Sequence, residues 1–326
     1  PMIRIRLCMV AAAVCALALA ASACGPSSPW IIQTQESDAS LTAVSAADPS
    51  HVWAVGGGPI YFFNGTSWAT QVQKLEAEPL DISARDKSNA WASGDSGSDG
   101  KGIVWSFNGT AWVKQFETDE PTASAVSAAD PSHVWVAGTG DTGSSVYFFN
   151  GGSWARQFSE PIHVQDLFAL DGTHAWFTAE DKDGRSWIYF YDGTVWVKQF
   201  EAPHHEFFLG VTAVDASHAW AVGSLENAGA APEDIRGIAY AFDGKKWGGR
   251  SVLPAQMHKV TAADARNVWA AGGIGSNGPV YHFDGSSWAK QFDARESLFD
   301  VSSCDRLHAW AVGGLGGIFI YENTPF

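Results

Sequence analysis

Residues 51–71 read HVWAVGGGPIYFFNGTSWATQ, and the same text returns as HVWVAGTGDTGSSVYFFNGGSWARQ at 133–157 and as NVWAAGGIGSNGPVYHFDGSSWAKQ at 267–291. Self-similarity at a fixed period marks a repeat architecture. The first Trp of the unit recurs at Trp53, Trp91, Trp135, Trp176, Trp220, Trp269 and Trp310, and the second at Trp68, Trp112, Trp154, Trp196, Trp247 and Trp288, in steps of 38 to 51 residues. Each unit reads as four short strands. Strand one, Thr42 to Ala46, turns at Ala47-Asp48-Pro49-Ser50 into strand two, His51 to Val55. Strand three, Ile60 to Phe63, meets strand four, Ser67 to Gln71, across Asn64-Gly65, a pair that tolerates the positive φ of a tight hairpin.

Six units are whole. The seventh carries Trp310 and stops at Phe326, where its fourth strand should begin, while Trp30-Ile31-Ile32-Gln33 stands ahead of the first unit with the spacing of Trp68 and Gln71. The N-terminal strand is therefore expected to complete the last blade, since a closed ring leaves no blade with an empty outer position. The expected fold is all-β: a seven-bladed β-propeller of four-stranded blades over residues 30–326.

Ahead of it, Arg4 and Arg6 precede an apolar run, Leu7 to Ala21, and then Ala21-Ser22-Ala23-Cys24. This layout predicts a signal peptide over 1–23, a short tether over 24–29 and export to the cell envelope or beyond. Cys24 behind three small residues resembles the lipobox of bacterial lipoproteins, and that resemblance implies lipid attachment at Cys24, the chain's one expected link to a membrane. Five residues separate Cys24 from Trp30, a reach of at most ~20 Å, which predicts the two-hairpin face of the ring toward the bilayer. Without its first 23 residues the chain holds 18 basic against 35 acidic residues, so duplex nucleic acid is excluded as a partner. Charged residues make up only 17%, and Trp numbers 16, which excludes a disordered chain.

The chain from Trp30 to Phe326 resembles the bacterial secreted and lipoprotein β-propellers, loosely of the Asp-box kind that includes sialidases and photosystem assembly factors. Its turn Asn64-Gly65-Thr66-Ser67-Trp68 is one residue tighter than an Asp-box. WD-repeat propellers end a strand in Trp-Asp, whereas these units have Trp53-Ala54 or Trp310-Ala311.

Most recurring residues read as scaffold. Burying a Trp is worth about 4 to 6 kcal/mol before entropy is charged, so the fourteen periodic Trp are packing residues. Trp105 and Trp187 fall outside the pattern and are the alternative ligand platforms. An Asp stands five residues before every first Trp and a His or Asn two before it, as in Asp48 and His51. One turn carboxylate per blade explains them better than seven catalytic dyads. Cys304 reads as an inert buried thiol.

Two sets remain as ligand-binding candidates. Ten residues before the first Trp the series runs Ala43, Asp81, Ala125, Asp166, Gly210, Lys259 and Asp300, placing Asp81, Asp166, Lys259 and Asp300 near the mouth of the central channel. On the variable face, which carries the junctions between blades, stand His163, His204, His205 and His258. Neither set has a metal signature of adequate spacing, and no metal, cofactor or catalytic residue is expected. The leading expectation is a monomeric, non-catalytic binding or scaffold protein that recognises a carbohydrate or an envelope protein through its variable face. The alternative is an extracellular glycan hydrolase or lyase using the channel carboxylates as acid and base.

Overall fold

The computed structural model describes residues 29–35, 40–97, 100–226, 231 and 234–323, and within them it contains 28 strands and no α-helix. Seven antiparallel blades follow one another along the chain: 43–72, 78–117, 122–160, 162–201, 206–253, 257–294, and 298–322 with 30–35. The first blade runs Ala43–Asp48, His51–Val55, Ile60–Phe63 and Trp68–Val72, so strands two and three fall where the sequence places them and the outer two shift by one or two residues. Blades 2 and 3 also touch through a bridge between Thr122 and Asp95.

The ring closes with the chain's own start. Trp30–Gln35 pairs antiparallel with Gly317–Glu322, matching Ile31 to Ile320 and Ile32 to Phe319. Trp30 is 3% exposed and stacks on Phe292 of blade 6. Between blades lie layers of buried aromatic and aliphatic side chains, with all seven first Trp at 5% exposure or less.

Two recurring β-bulges, one in the outer strand of every blade and one in the inner strand of blades 2 to 7, aim the functional and structural side chains. A bulge bends a strand and redirects a residue. In the outermost strands the register shifts at the Gln three places after the second Trp, as between Thr70 and Val72, or between Ile32 and Thr34 in the closing strand. In three of these strands the redirected Gln serves two indoles: Gln71 Oε1 accepts from Trp53 and from Trp112 of the next blade at 3.0 and 2.8 Å. Gln199 does so for Trp176 and Trp247. Gln33 does so for Trp310 and Trp68, at 3.3 and 2.8 Å, so the N-terminal strand ties blade 7 to blade 1 as an ordinary outer strand would.

Both hairpin turns of a blade lie on one face, since a Cβ placed on Gly65 would meet Ser50 at about 3 Å, and Gly109, Gly151, Gly193, Gly244 and Gly285 stand equally close to the other turn of their blade. All seven turn aspartates take the same role: Asp48 accepts from the Ser50 N–H and from His51 Nδ1, and Asp86 from the Asn89 side chain. Burial alone would raise the Asp48 pKa, but the Ser50 and His51 hydrogen bonds outweigh it and hold it below its ordinary value.

Candidate functional site

The innermost strand of a blade is an edge strand, and its outward N–H groups need partners. The second bulge supplies them. In blades 2 to 7 the register shifts just before the channel position, as between Pro79 and Asp81, Val164 and Asp166, or Leu298 and Asp300. Each redirected carboxylate then clasps the next blade. Asp81 accepts from the Val126 N–H at 2.8 Å, Asp166 from the Val211 N–H at 2.8 Å, and Asp300 from the Val44 N–H at 2.7 Å. A second layer, eight residues before the first Trp, repeats the device with hydroxyls. Ser45, Ser83, Ser127 and Ser302 accept from Ala84, Ala128, Ala169 and Ala46, and Thr261 accepts from Ser303. The sequence reading missed this layer, although Ser or Thr stands there in six of seven blades.

All seven blades line a central cavity of about 350 Å³, and Asp81, Asp166, Lys259 and Asp300 converge on it. The three carboxylates are almost fully buried. Lys259 Nζ donates to Asp166 Oδ1 at 2.5 Å. Burial alone would lower the Lys259 pKa; Asp166, Asp81 and Asp300 together push it up instead. Burial pushes Asp166 up, against the pull of Lys259; with the ammonium in contact, the shared proton stays on Lys259, the stronger base. Burial raises Asp300 to about 7, Lys259 opposing and Asp81 adding to the shift. The cavity thus holds one ion pair, a further buried acidic side chain in Asp81, and one carboxyl that exchanges its proton near neutrality.

The histidines do not converge in the same way. His163, His204 and His205 are exposed, the last two with ring centroids 5.6 Å apart. His258 is half-buried; Nδ1 donates to the Leu298 carbonyl, and burial lowers its pKa. Among the described residues the one group of three whose ligand atoms lie within 4.8 Å of each other is Cys304, Asp305 and His308. His308 there repeats the turn bond of its sister blades, and burial pushes the Cys304 thiol up to about 12, as an inert thiol requires. Trp105, an alternative ligand platform in the sequence, is 2% exposed and belongs to the core. Trp187 is half-buried, with Lys198 Nζ 3.8 Å from its ring centroid. Cys24 lies outside the described residues.

The variable face is acidic. Glu76, Glu78, Asp119, Asp141, Glu160, Asp183 and Asp234 are exposed on its loops and blade junctions. In the Asp181 loop the aspartate accepts from the Asp183 and Arg185 N–H groups and pairs with the Arg185 side chain, so its carboxylate already has partners.

No protein-family model and no curated protein sequence matches the chain. Solved structures do resemble it. YCF48 bound to a D1 peptide superposes with a TM-score of 0.62 at 14% identity, over 91% of this chain and 97% of that one. U3-55K gives 0.66 at 12% over 90% and 98%. A catalytically inactive virginiamycin B lyase from Staphylococcus aureus, with quinupristin, gives 0.68 at 12% over 90% and 100%. These likenesses establish the fold: the protein is a seven-bladed β-propeller.

Proposed function

We propose that the protein is a non-catalytic, exported binding propeller, tethered by a lipid on Cys24, that recognises a protein partner through the acidic variable face. The observation that carries this reading is the use already made of the channel carboxylates. Asp81, Asp166 and Asp300 each hold a backbone N–H of the next blade, so moving them into a substrate's reach would open a blade junction. A general acid and base must instead be free to meet the proton they transfer. Exposed acids on the variable-face loops, of which Glu76, Asp119 and Asp183 already pair with Lys114, Arg156 and Arg185, favour a partner with a basic segment, and a propeller of similar fold holds a D1 peptide. A glycan partner is the second form of the same reading.

The test uses the soluble chain from Gly25 onward, displayed against a glycan array and against immobilised envelope proteins. A variant carrying Glu76→Lys, Asp119→Lys, Asp141→Lys and Glu160→Lys is expected to lose at least about tenfold in affinity for a protein partner. Binding that the variant retains in full would remove the variable face from the argument. Polysaccharide cleavage by the wild type that disappears in Asp300→Asn would replace it with the hydrolase or lyase reading, which Asp300, titrating near 7, would serve.

A further inference from the structure

The sevenfold pattern is broken at one place. Three residues after the second Trp stand Gln71, Gln115, Gln157, Gln199, Gln291 and, in the closing strand, Gln33, but blade 5 reads Trp247-Gly248-Gly249-Arg250. Arg250 occupies the redirected position and turns elsewhere. Its guanidinium holds Glu206 Oε1, with Nε at 2.7 Å, while the Tyr240 hydroxyl donates to Oε2 at 2.7 Å. The indole N–H of Trp220, a side chain only 4% exposed, has no acceptor, as is also the case for the buried first Trp of blades 3 and 6, Trp135 and Trp269, where the Gln is present. Beside it, where other blades carry side chains and blade 5 has two glycines, a second cavity of about 480 Å³ opens between blades 5 and 6 on the hairpin side.

Its lining is specific in character. Trp220, Phe242 and Phe283 supply aromatic surface, while His218, Lys246 and Arg266 supply donors. Asp243, also on the wall, is engaged by the Lys245 and Lys246 N–H groups of its own turn. Lys246 and Arg266 on its wall and Lys245 beside it are its cations, while Asp215, Asp243 and Asp264 of the adjoining turns are held by N–H groups of their own turns. A ligand site of a few hundred Å³ with apolar walls and a few convergent polar groups is the ordinary form of a small-molecule pocket, and guanidinium and ammonium donors select a carboxylate.

We propose that this cavity binds a small ring compound carrying a carboxylate, its ring against Trp220, Phe242 and Phe283 and its anion on Arg266 and Lys246. The site is separate from the variable face and stands or falls independently of it. Calorimetric titration of the soluble chain with glucuronate and with benzoate tests it, with glucose and benzyl alcohol as the neutral counterparts. At least one carboxylate is expected to bind, at least about tenfold more tightly than its neutral counterpart; which one binds tells a sugar acid from an aromatic acid. Arg266→Gln, an exposed change, is expected to weaken binding by about tenfold or more. Gly248→Val restores the residue of Val113 and Val197 at a position where a Cβ meets nothing within 4 Å. It is expected to leave the melting temperature unchanged and remove binding. No heat with either carboxylate at about 10 mM, a concentration that reveals even millimolar affinity, overturns the proposal. So does equal binding of the neutral compounds, or full binding by both variants.

Discussion

Two junctions in the ring differ in an instructive way. Between blades 7 and 1 the outer strand comes from the far end of the sequence, yet the pattern is complete: Trp30 is buried, Gln33 serves both indoles, and Asp300 clasps Val44. Between blades 5 and 6 the chain is continuous, yet the Gln is gone, Arg250 turns to Glu206 and a cavity stands open. Closing a ring through its termini costs loop-closure entropy that local contacts must offset. A junction between sequential blades is spared that cost and can tolerate a departure from the repeat, which is where function tends to break a local rule.

The largest expected effect tests the closing junction. Trp30→Ala should cost about 3 to 5 kcal/mol in urea unfolding, as for a buried large-to-small change, because the strand loses its anchor against Phe292 and Trp269. A loss below about 1 kcal/mol would mean that closure does not rest on this side chain.

Next comes the broken junction. Arg250→Gln puts back the residue of the repeat but strips Glu206, which is 4% exposed, of its cation. Unfolding stability should fall by about 2 kcal/mol, the cost of a buried acceptor left short of a partner. A gain would show that the indole knot outweighs the ion pair, and would bring the two junctions back into one class.

The smallest effect per pH unit is a slope. Asp300 has an ordinary pKa of 3.8 and is raised to about 7 by burial in the fold. Between those values the native protein binds more protons than the unfolded chain, so stability falls as pH rises from about 4 to about 7, by at most about 1.4 kcal/mol per unit for one proton. The turn aspartates, with lowered pKa values such as that of Asp48, act in the opposite sense and lose their contribution only as pH falls below about 4. Denaturation across this range should show the decline in the wild type and a flatter profile in Asp300→Asn, with the clasp across the closing junction kept by the Asn carbonyl oxygen.

Much of this was legible from period and spacing. The strands His51–Val55 and Ile60–Phe63, the count of seven, the borrowed strand at Trp30 and the scaffold role of the turn Asp and His follow from residue types that recur once per blade. The convergence of Asp81, Asp166, Lys259 and Asp300 followed from their shared place ten residues before a Trp. Their partners did not, because a carboxylate that accepts a backbone N–H from another blade leaves no mark in the sequence. Trp105 and Trp187 were open for a similar reason: nothing local distinguishes an out-of-period Trp in the core, as Trp105 is, from one in solvent.

The sequence alone determined which residues repeat, and hence that every blade presents the same faces to its neighbours and that the ends of the chain must meet. The tertiary structure alone decided which charges are satisfied, where burial holds a proton on Asp300 near neutrality, and that Arg250, standing in the place of the Gln, turns to Glu206 while Gly248 and Gly249 border a cavity. Repetition is a property of the chain. Desolvation and partner choice depend on distances across blade junctions, which exist only once the ring has closed.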